Sequence, residues 1–237
     1  MPDEPATPDD SDLEFADRVA AADALNRLCH ALVGHRSDVA TLQRIARAAD
    51  RLAREIEQQP SRVRREEMAR SSRFLGLTAK EGALRSVVGD GAFVDMFSDS
   101  PVSGSANPLS IGLRIRSVGD EAEGIVTLRA GWEGAPGRSH GGVVAACVDE
   151  TIGGLLPVIG QIAFTGELSL RFEAPCPLGV PLRFRAWLER REGRKLFISC
   201  TGEHDDEIFV RATSVFIAVD LDQFRELADL WSVSAAE

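Results

Sequence analysis

Residues 139–156 are the part of this chain that most constrains its fold. They open with Ser-His-Gly-Gly, continue through an apolar run from Val143 to Val148, and return to apolar residues at Ile152, Leu155 and Leu156. A helix that is apolar nearly all the way round belongs in a protein core. The sequence therefore predicts one long buried helix around which the other elements are arranged.

Two features of this predicted helix indicate chemistry. Asp149 and Glu150 interrupt its apolar run, and a buried carboxylate is costly unless it is paired or hydrogen-bonded. Gly141 and Gly142 stand at the helix start, where they leave backbone N–H groups uncovered at the positive end of the helix dipole. Amide donors and a carboxylate together suit acyl transfer or hydrolysis. From these residues alone, a buried helix with one hydrogen-bonded acid is an equally good interpretation.

Alternation of apolar and polar residues begins at Ile111 and predicts strands on both sides of the helix. Two alternating runs precede it, separated by a turn at Gly119-Asp120. Four more follow it, over residues 165–174, 181–190, 195–202 and 208–219. Two strands, a buried helix and four antiparallel strands predict an α+β fold in which a sheet wraps around one helix. We assign this domain to residues 111–221.

Residues 1–70 are predicted to form a disordered start followed by a helical hairpin. The first helix has an apolar stripe that ends at Gly34, and the second, which Ser37 can cap, has a stripe that alternates steps of three and four. These stripes are Phe15, Val19, Ala22, Leu25, Cys29 and Leu32, then Leu42, Ile45, Ala49, Leu52 and Ile56. The second stripe suits a helix hairpin or a coiled coil. A dimerisation or lid element is one interpretation, and a packing appendage is the one we favour.

Residues 71–110 lack a clear period and are predicted to be a connector. Glycine-rich turns occur at residues 89–91 and 103–105. Phe93, Met96 and Phe97 could cover an apolar acyl pocket, although ordinary core positions are the interpretation we favour. Residues 222–237 are predicted to form a short amphipathic helix and a tail.

Composition argues against several classes of partner. The net charge of −10 disfavours general nucleic-acid binding, and it requires a local basic patch for any anionic ligand. The cysteines, at 29, 147, 176 and 200, lack metal or disulfide spacing, and no Walker, dinucleotide or zinc motif occurs. We find no apolar run long enough to span a bilayer, and the N-terminus is acidic. A cytoplasmic protein without a membrane partner, metal or cofactor is therefore predicted.

A family resemblance gives these features a specific meaning. Residues 133–142 read Glu-Gly-Ala-Pro-Gly-Arg-Ser-His-Gly-Gly, and Asp149 follows after six residues. This pattern resembles the hotdog-fold thioesterases, in particular the phenylacetate-pathway and thioesterase-superfamily types that act on acyl-CoA. The similarity continues through residues 164–168, 175–179 and 191–195 and covers residues 107–220. It implies the hotdog fold and an acyl-CoA thioesterase, with CoA entering only as part of the substrate.

The resemblance combines with the helix pattern to suggest the reacting groups. Asp149 is expected to be the catalytic carboxylate, preferably as a general base on water and otherwise as a nucleophile. Glu150 is the second candidate, but one helical step turns it to a different face. The N–H of Gly141 is expected to bind the thioester oxygen, with Gly142 beside it in substrate binding.

Other positions receive roles from the resemblance. The ring of His140 is implied to shape the turn before the glycines, and a catalytic role for it is the less favoured alternative. The hydroxyl of Thr165 is implied to hold the water, with a plain strand threonine as the equal alternative. Arg194 and Lys195 are implied to contact CoA phosphates, or else they occupy a solvated hairpin tip. Some family members carry an Asn six residues before the histidine, where this chain has Gly134.

Helix geometry predicts that the site is shared between two chains. Gly141 and Asp149 are eight residues apart, which is about 12 Å along a helix axis, whereas both must reach one carbonyl group. Two antiparallel helices related by a two-fold axis solve this, so a homodimer or a dimer of dimers is predicted. The alternative functions are a hotdog hydratase or dehydratase that uses His140, and a non-catalytic module that binds acyl-CoA or protein. The acyl group, and whether its carrier is CoA or an acyl carrier protein, stay open.

Overall fold

The computed structural model describes residues 10–62, 88–94 and 97–220. Its helices are α1 (Asp10–Gly34), α2 (Val39–Glu57) and α3 (Gly141–Val158), with a 3-10 turn at Ala130–Trp132. Its strands are β1 (Phe93–Val94), β2 (Arg114–Val118), β3 (Glu121–Thr127), β4 (Ala163–Phe172), β5 (Pro181–Glu192), β6 (Lys195–His204) and β7 (Glu207–Ala218).

The strands form one antiparallel sheet in the order β1-β2-β3-β5-β6-β7-β4. β4 follows α3 directly in the chain, yet it lies at the far edge of the sheet, where it pairs with β7. The predicted α+β hotdog fold is therefore confirmed. The six predicted strands are all present with ends shifted by up to four residues, whereas the two-residue β1 was not predicted.

Close contact between α3 and the sheet depends on two glycines. A Cβ atom on Gly124 of β3 would lie 2.5 Å from Oγ1 of Thr151, and one on Gly154 of α3 would lie 2.7 Å from a methyl group of Ile115. Neither approach leaves room for a side chain, so these glycines let the helix backbone and the sheet come together. The apolar residues of α3 then pack inside the sheet, as the sequence predicted.

The sequence suggested that no apolar segment is long enough to span a membrane, and the length of α3 contradicts this. By length and composition alone, α3 could cross a bilayer. Its buried residues, however, pack against the strands of the sheet, and these residues include Val144, Val148, Ile152 and Leu155. The apolar character of α3 is thus explained by its place in the core.

α1 attaches to the domain through a face that overlaps its predicted apolar stripe only in part. Ala22 and His30 are its buried residues among those described, whereas Leu25, Leu28 and Leu32 are exposed. The Asn26 amide donates to the carbonyl groups of Pro108 and Ser110 at 3.0 and 2.9 Å. Polar contacts between α1 and the loop before β2 therefore decide which face of the helix points inward.

His30 is the main contact of α1 with the 3-10 turn. Its Nδ1 accepts the N–H of Gly131 at 3.0 Å, and its ring meets the ring of Trp132 edge-on with centroids 5.5 Å apart. A Cβ on Gly131 would lie 2.6 Å from Nδ1, so the close approach requires glycine.

The structure does not show α2 as the packed helix that the sequence predicted. None of its residues is buried, and the described part of the chain shows no packed α1–α2 pair of the kind a helix hairpin requires. The predicted cap at Ser37 is also wrong. Asp38 caps the helix instead, and its Oδ1 accepts the N–H of Thr41 at 2.8 Å.

The predicted core positions around β1 are also wrong. Phe93 is 54% exposed, with the guanidinium of Arg114 stacked 4.1 Å from its ring centroid, and Phe97 is 38% exposed. Met96, most of the predicted connector, and the predicted C-terminal helix from Asp222 to Trp231 lie outside the described residues.

Protonation of His30 is predicted to loosen α1. Burial, and to a lesser degree Arg129, lowers the pKa of His30 below its ordinary value of 6.5, and an imidazolium cannot accept the Gly131 N–H. Because the folded-state pKa is lowered, this contribution is intact above pH 6.5 and is lost as the pH falls towards the folded-state pKa. Urea unfolding at about pH 7.5 and about pH 5.5 should show a larger loss of stability for the wild type than for His30→Gln. Equal losses in the two proteins would contradict the prediction.

Candidate active site

Asp149 and Thr165 meet where the middle of α3 passes the start of β4. The Asp149 side chain is half-buried, and its Oδ1 accepts a hydrogen bond from Oγ1 of Thr165 at 3.2 Å. Burial raises the pKa of Asp149 above its ordinary value of 3.8, the nearby Glu150 adds to the rise, and the Thr165 hydroxyl opposes it. Two residues that are 16 positions apart in sequence thus form a carboxylate–hydroxyl pair that solvent can reach.

The start of α3 is built by His140. This residue is the N-cap, with an extended backbone at φ −65° and ψ 132°, and its Nδ1 accepts the N–H of Gly142 at 3.0 Å. Its own N–H donates to the carbonyl oxygen of Trp132 at 2.8 Å. Because Nδ1 is engaged as an acceptor, His140 acts here as a capping group.

This cap gives the N–H groups of the two following glycines different roles. The N–H of Gly142 is used by His140, whereas the N–H of Gly141 lies in the first helical turn, where no acceptor exists within the helix. Gly141 is exposed, and the dipole of α3 adds positive potential at this position. Of the two predicted glycines, Gly141 is the one whose N–H is suitably placed to meet a substrate oxygen.

Gly134 explains why the asparagine of some family members has no counterpart here. A Cβ atom at position 134 would lie 2.8 Å from Cα of His140. That distance is shorter than backbone atoms tolerate, so this turn cannot hold an asparagine without moving the helix cap. The structure therefore offers no room for that side chain at this position.

Phe172 covers the start of α3 from the end of β4. Its ring is about half exposed, and a Cβ atom placed on Gly141 would be in ordinary contact with it, 3.5 Å from Cζ. Thr165 and Phe172 therefore mark the two ends of β4, the first beside Asp149 and the second beside Gly141. Within one chain, the Asp149 carboxylate lies beside one end of β4 and the N-terminus of α3 lies beside the other end.

Glu150 belongs to a different environment from its neighbour. Its Oε1 accepts hydrogen bonds from the hydroxyl groups of Ser100, at 2.5 Å, and Ser103. The Ser100 oxygen also accepts the N–H groups of Val102 and Ser103. Glu150 thus ties α3 to the loop before β2, which fits a structural role.

The predicted basic hairpin lies at the Thr165 end of β4. Lys195 and Phe164 both pair with Ile217 of β7, on opposite sides of that strand. Arg194 is anchored by a hydrogen bond from its Nε to the carbonyl oxygen of Ala218 at 3.0 Å. The structure therefore brings the hairpin to the same end of the sheet as Thr165.

Sequence reasoning missed Phe172 and the two serines. The serines lie in the stretch without a clear period, and Phe172 reads as an ordinary strand residue. No local signal distinguishes these residues, because their roles arise from contacts with α3. No cluster of three or more metal-ligating side chains occurs among residues 10–62, 88–94 and 97–220.

Comparisons with known proteins show what this chain is similar to. The thioesterase superfamily pattern matches residues 137–210. Acyl-coenzyme A thioesterase THEM4 of Mus musculus is 38% identical over 90 residues, which cover 37% of this chain and 39% of that protein. Acyl-coenzyme A thioesterase THEM5 of Mus musculus is 32% identical over 93 residues, or 38% of each chain. The similarity thus spans about two fifths of the length of these curated relatives.

A solved structure extends the comparison beyond the matched segment. The crystal structure of a thioesterase superfamily protein superposes with a TM-score of 0.65 and 25% sequence identity. The superposition covers 84% of this chain and 94% of that one. This agreement supports the hotdog architecture derived above from the strand order.

Loss of the Glu150 carboxylate should destabilise the fold. Glu150→Ala leaves the hydroxyls of Ser100 and Ser103 without their acceptor, so we expect the free energy of unfolding to fall by about 1–3 kcal/mol. Glu150→Gln keeps an oxygen in the same place and should cost less. Urea denaturation measures both, and wild-type stability of the Ala variant would contradict the structural role.

Proposed function

We propose that this chain, whose residues 137–210 match the thioesterase superfamily, hydrolyses acyl-CoA thioesters to a free acid and CoA. The observation that carries the proposal is the half-buried Asp149 carboxylate, which lies within hydrogen-bonding distance of the Thr165 hydroxyl. The acyl-CoA thioesterase relatives support this reaction for the shared segment.

The proposed reaction uses water as the nucleophile. The Asp149 carboxylate takes a proton from the water as the water oxygen attacks the thioester carbonyl carbon. The Thr165 hydroxyl orients the carboxylate and the water, and the N–H of Gly141 donates to the oxygen that becomes negatively charged. Collapse of this intermediate breaks the carbon–sulfur bond, and the CoA thiolate leaves and takes up a proton. The raised pKa makes Asp149 a stronger base than an exposed aspartate.

The edge position of β4 supports a shared site. Among the described strands β4 pairs only with β7, and seven of its ten residues are exposed while the other three are half-buried. A long exposed edge strand is a template for pairing with another chain. We therefore propose that β4 pairs with β4 of a second copy to form a homodimer.

Antiparallel pairing of β4 would also join the two halves of the site. Thr165 marks the end of β4 beside Asp149, and Phe172 marks the end beside Gly141. An antiparallel copy brings the Phe172 end of one strand next to the Thr165 end of the other. Gly141 of one chain then approaches Asp149 of its partner, which removes the separation of about 12 Å along α3.

The basic hairpin is the proposed contact for the nucleotide part of CoA. Arg194 and Lys195 lie at the Thr165 end of the sheet, and guanidinium and ammonium groups bind phosphates well. In a protein of net charge −10, such a local cluster gives an anionic substrate a place to bind. Cytoplasmic location remains a prediction from the sequence.

Release of free thiol from a panel of acyl-CoAs tests the function. Short, long and aromatic acyl-CoAs should be compared with the matching acyl carrier protein thioesters, with hydrolysis followed by a thiol reagent. Turnover of at least one acyl-CoA is expected. Binding without turnover across the panel would instead favour a non-catalytic acyl-CoA-binding module.

Asp149→Asn should abolish hydrolysis without harming the fold. Loss of the general base should lower kcat by about a hundredfold or more. Stability should stay the same or rise, because burial raises the pKa of Asp149 and so disfavours the charged folded state at neutral pH. Steady-state kinetics and urea unfolding measure the two effects.

Glu150→Gln is the matched control, since it makes the same acid-to-amide change one residue away and should retain activity. The wild-type pH profile adds a second check. Activity should be lost as the pH falls through the pKa of Asp149, and the acidic limb of kcat/KM should lie above pH 3.8. An Asn variant that keeps most of its kcat would overturn the assignment.

Two inactive variants should complement each other if the site is shared. Asp149→Asn removes the base, and Gly141→Pro removes the amide donor at a first-turn position where proline is tolerated. The extended backbone of His140 suits a following proline. In a mixed dimer one site carries both changes and the other carries neither. Co-refolding equal amounts should restore about a quarter of wild-type activity, because half of the dimers are mixed and each has one intact site.

Native mass spectrometry of the mixture verifies that chains have exchanged. If both variants fold and exchange but stay inactive together, the site lies within one chain. Activity of the Gly141→Pro variant alone would show that this N–H does not stabilise the reaction.

A further inference from the structure

Phe172 lies on the same face of the sheet as α3, yet much of its ring is exposed. It pairs with Val210 of β7, which is fully buried, and residues directly opposite each other on antiparallel strands share one face. Leu168 and Leu170 of β4 lie on that face as well, and both are half-buried against the core. Phe172, at the end of the strand, is 52% exposed. A large apolar surface therefore remains in water on the side of the sheet that carries the candidate site.

The exposed ring adjoins the amide group that is proposed to bind the thioester oxygen. Cζ of Phe172 lies 3.5 Å from the position that a Cβ atom of Gly141 would occupy. In standard backbone geometry that position is about 2.5 Å from the amide nitrogen, so ring and nitrogen are roughly 6 Å apart at most. A carbonyl group whose oxygen accepts the Gly141 N–H therefore brings its own substituents close to the ring.

Of the two substituents on the carbonyl carbon, the acyl group matches the ring better. The sulfur atom leads to the pantetheine arm of CoA, which carries two amides and is the same in every acyl-CoA. The first carbons of an alkanoyl or arylacyl group are apolar, and burying them against an aromatic ring is favourable. A carboxylate in the same place would lose water and gain no hydrogen bond from the ring.

We propose that Phe172 is a specificity-determining residue, which selects acyl groups that are apolar in the first carbons after the thioester carbonyl. Its ring covers these carbons when Gly141 binds the carbonyl oxygen, and it disfavours acyl groups that carry a carboxylate there. This inference rests on the proposed function, because that function places the carbonyl group at Gly141. It narrows the substrates to thioesters of acids with a single carboxyl group, the one that forms the thioester.

The arginine that follows Leu170 does not provide a partner for such a carboxylate. Arg171 pairs with Arg211 of β7, and alternation along β4 places it on the face of the sheet opposite to Phe172. Both arginines lie near the carboxylate of Glu173, at 3.9 Å from Arg171 and 3.2 Å from Arg211. The basic charge at this end of β4 is therefore directed away from α3.

Propionyl-CoA and malonyl-CoA test the selection as a matched pair. They differ only in whether the carbon next to the carbonyl carries a methyl group or a carboxylate. The wild type should show the higher kcat/KM for propionyl-CoA, and Phe172→Ala should lower the propionyl-to-malonyl ratio by about tenfold or more. Phe15→Ala is the control, since it removes an exposed phenylalanine ring from α1 and should leave the ratio unchanged.

A lysine at position 172 should reverse the preference. Phe172→Lys replaces the apolar ring by an ammonium group, which attracts the carboxylate of malonyl-CoA. Its kcat/KM for malonyl-CoA should exceed that of the wild type, while its kcat/KM for propionyl-CoA falls. Edge strands tolerate lysine well, and damage to the fold cannot produce a gain with one substrate.

A binding measurement separates this inference from the proposed function. Isothermal titration calorimetry in an Asp149→Asn background gives the Kd of both thioesters, with and without Phe172→Ala, and needs no turnover. The preference for propionyl-CoA should fall when the ring is removed. That result, together with a wild type that hydrolyses no acyl-CoA, would support the role of Phe172 and refute the proposed hydrolysis. Hydrolysis by the wild type with an unchanged ratio in every Phe172 variant would do the opposite.

Two further results would overturn the inference. Equal losses with both thioesters in Phe172→Ala, together with a lower mass in analytical ultracentrifugation, would assign the ring to the contact between chains. Arg138, which is exposed three residues before Gly141, is the basic residue that tests the remaining alternative. A wild-type preference for malonyl-CoA that Arg138→Ala removes would show that the site selects carboxylated acyl groups instead.

Discussion

Close packing of α3 against the sheet is the interaction on which the rest of the structure depends. It requires the missing side chains of Gly124 and Gly154, because a Cβ atom at either position would collide with Thr151 or Ile115. Once α3 is seated, its apolar residues form the core together with the inward-facing residues of the strands. The position of α3 against the sheet also fixes the directions of the Asp149 and Glu150 side chains.

Two adjacent carboxylates show this effect most clearly. Asp149 and Glu150 differ by one helical step of about 100°, and that rotation sends them to different surroundings. Asp149 reaches Thr165 at the solvent-accessible edge strand, and Glu150 reaches the serines of the loop before β2. One acid is therefore available for chemistry, while the other holds a loop against the helix.

The N-terminal helices are positioned by hydrogen bonds more than by apolar packing. α1 docks through Asn26 and His30, which satisfy backbone groups that the docking would otherwise bury without partners. Its leucines at 25, 28 and 32 stay exposed, and so do Leu42, Leu52 and Ile56 of α2. Apolar periodicity predicted these helices correctly, but of the α1 stripe only Ala22 is buried, because the hydrogen bonds of Asn26 and His30 orient α1 on the domain.

The sequence by itself determined the order of elements, the buried central helix and the candidate pair of Gly141 and Asp149. Period-two alternation and a long apolar run are local signals, since they reflect which side of each element leaves water. The family pattern around His140 added the expected chemistry. Only the tertiary structure decided that Asp149 meets Thr165, that Glu150 binds Ser100 and Ser103, and that His30 docks α1 on the 3-10 turn. Those outcomes depend on contacts between residues far apart in the chain, and no local periodicity records such contacts.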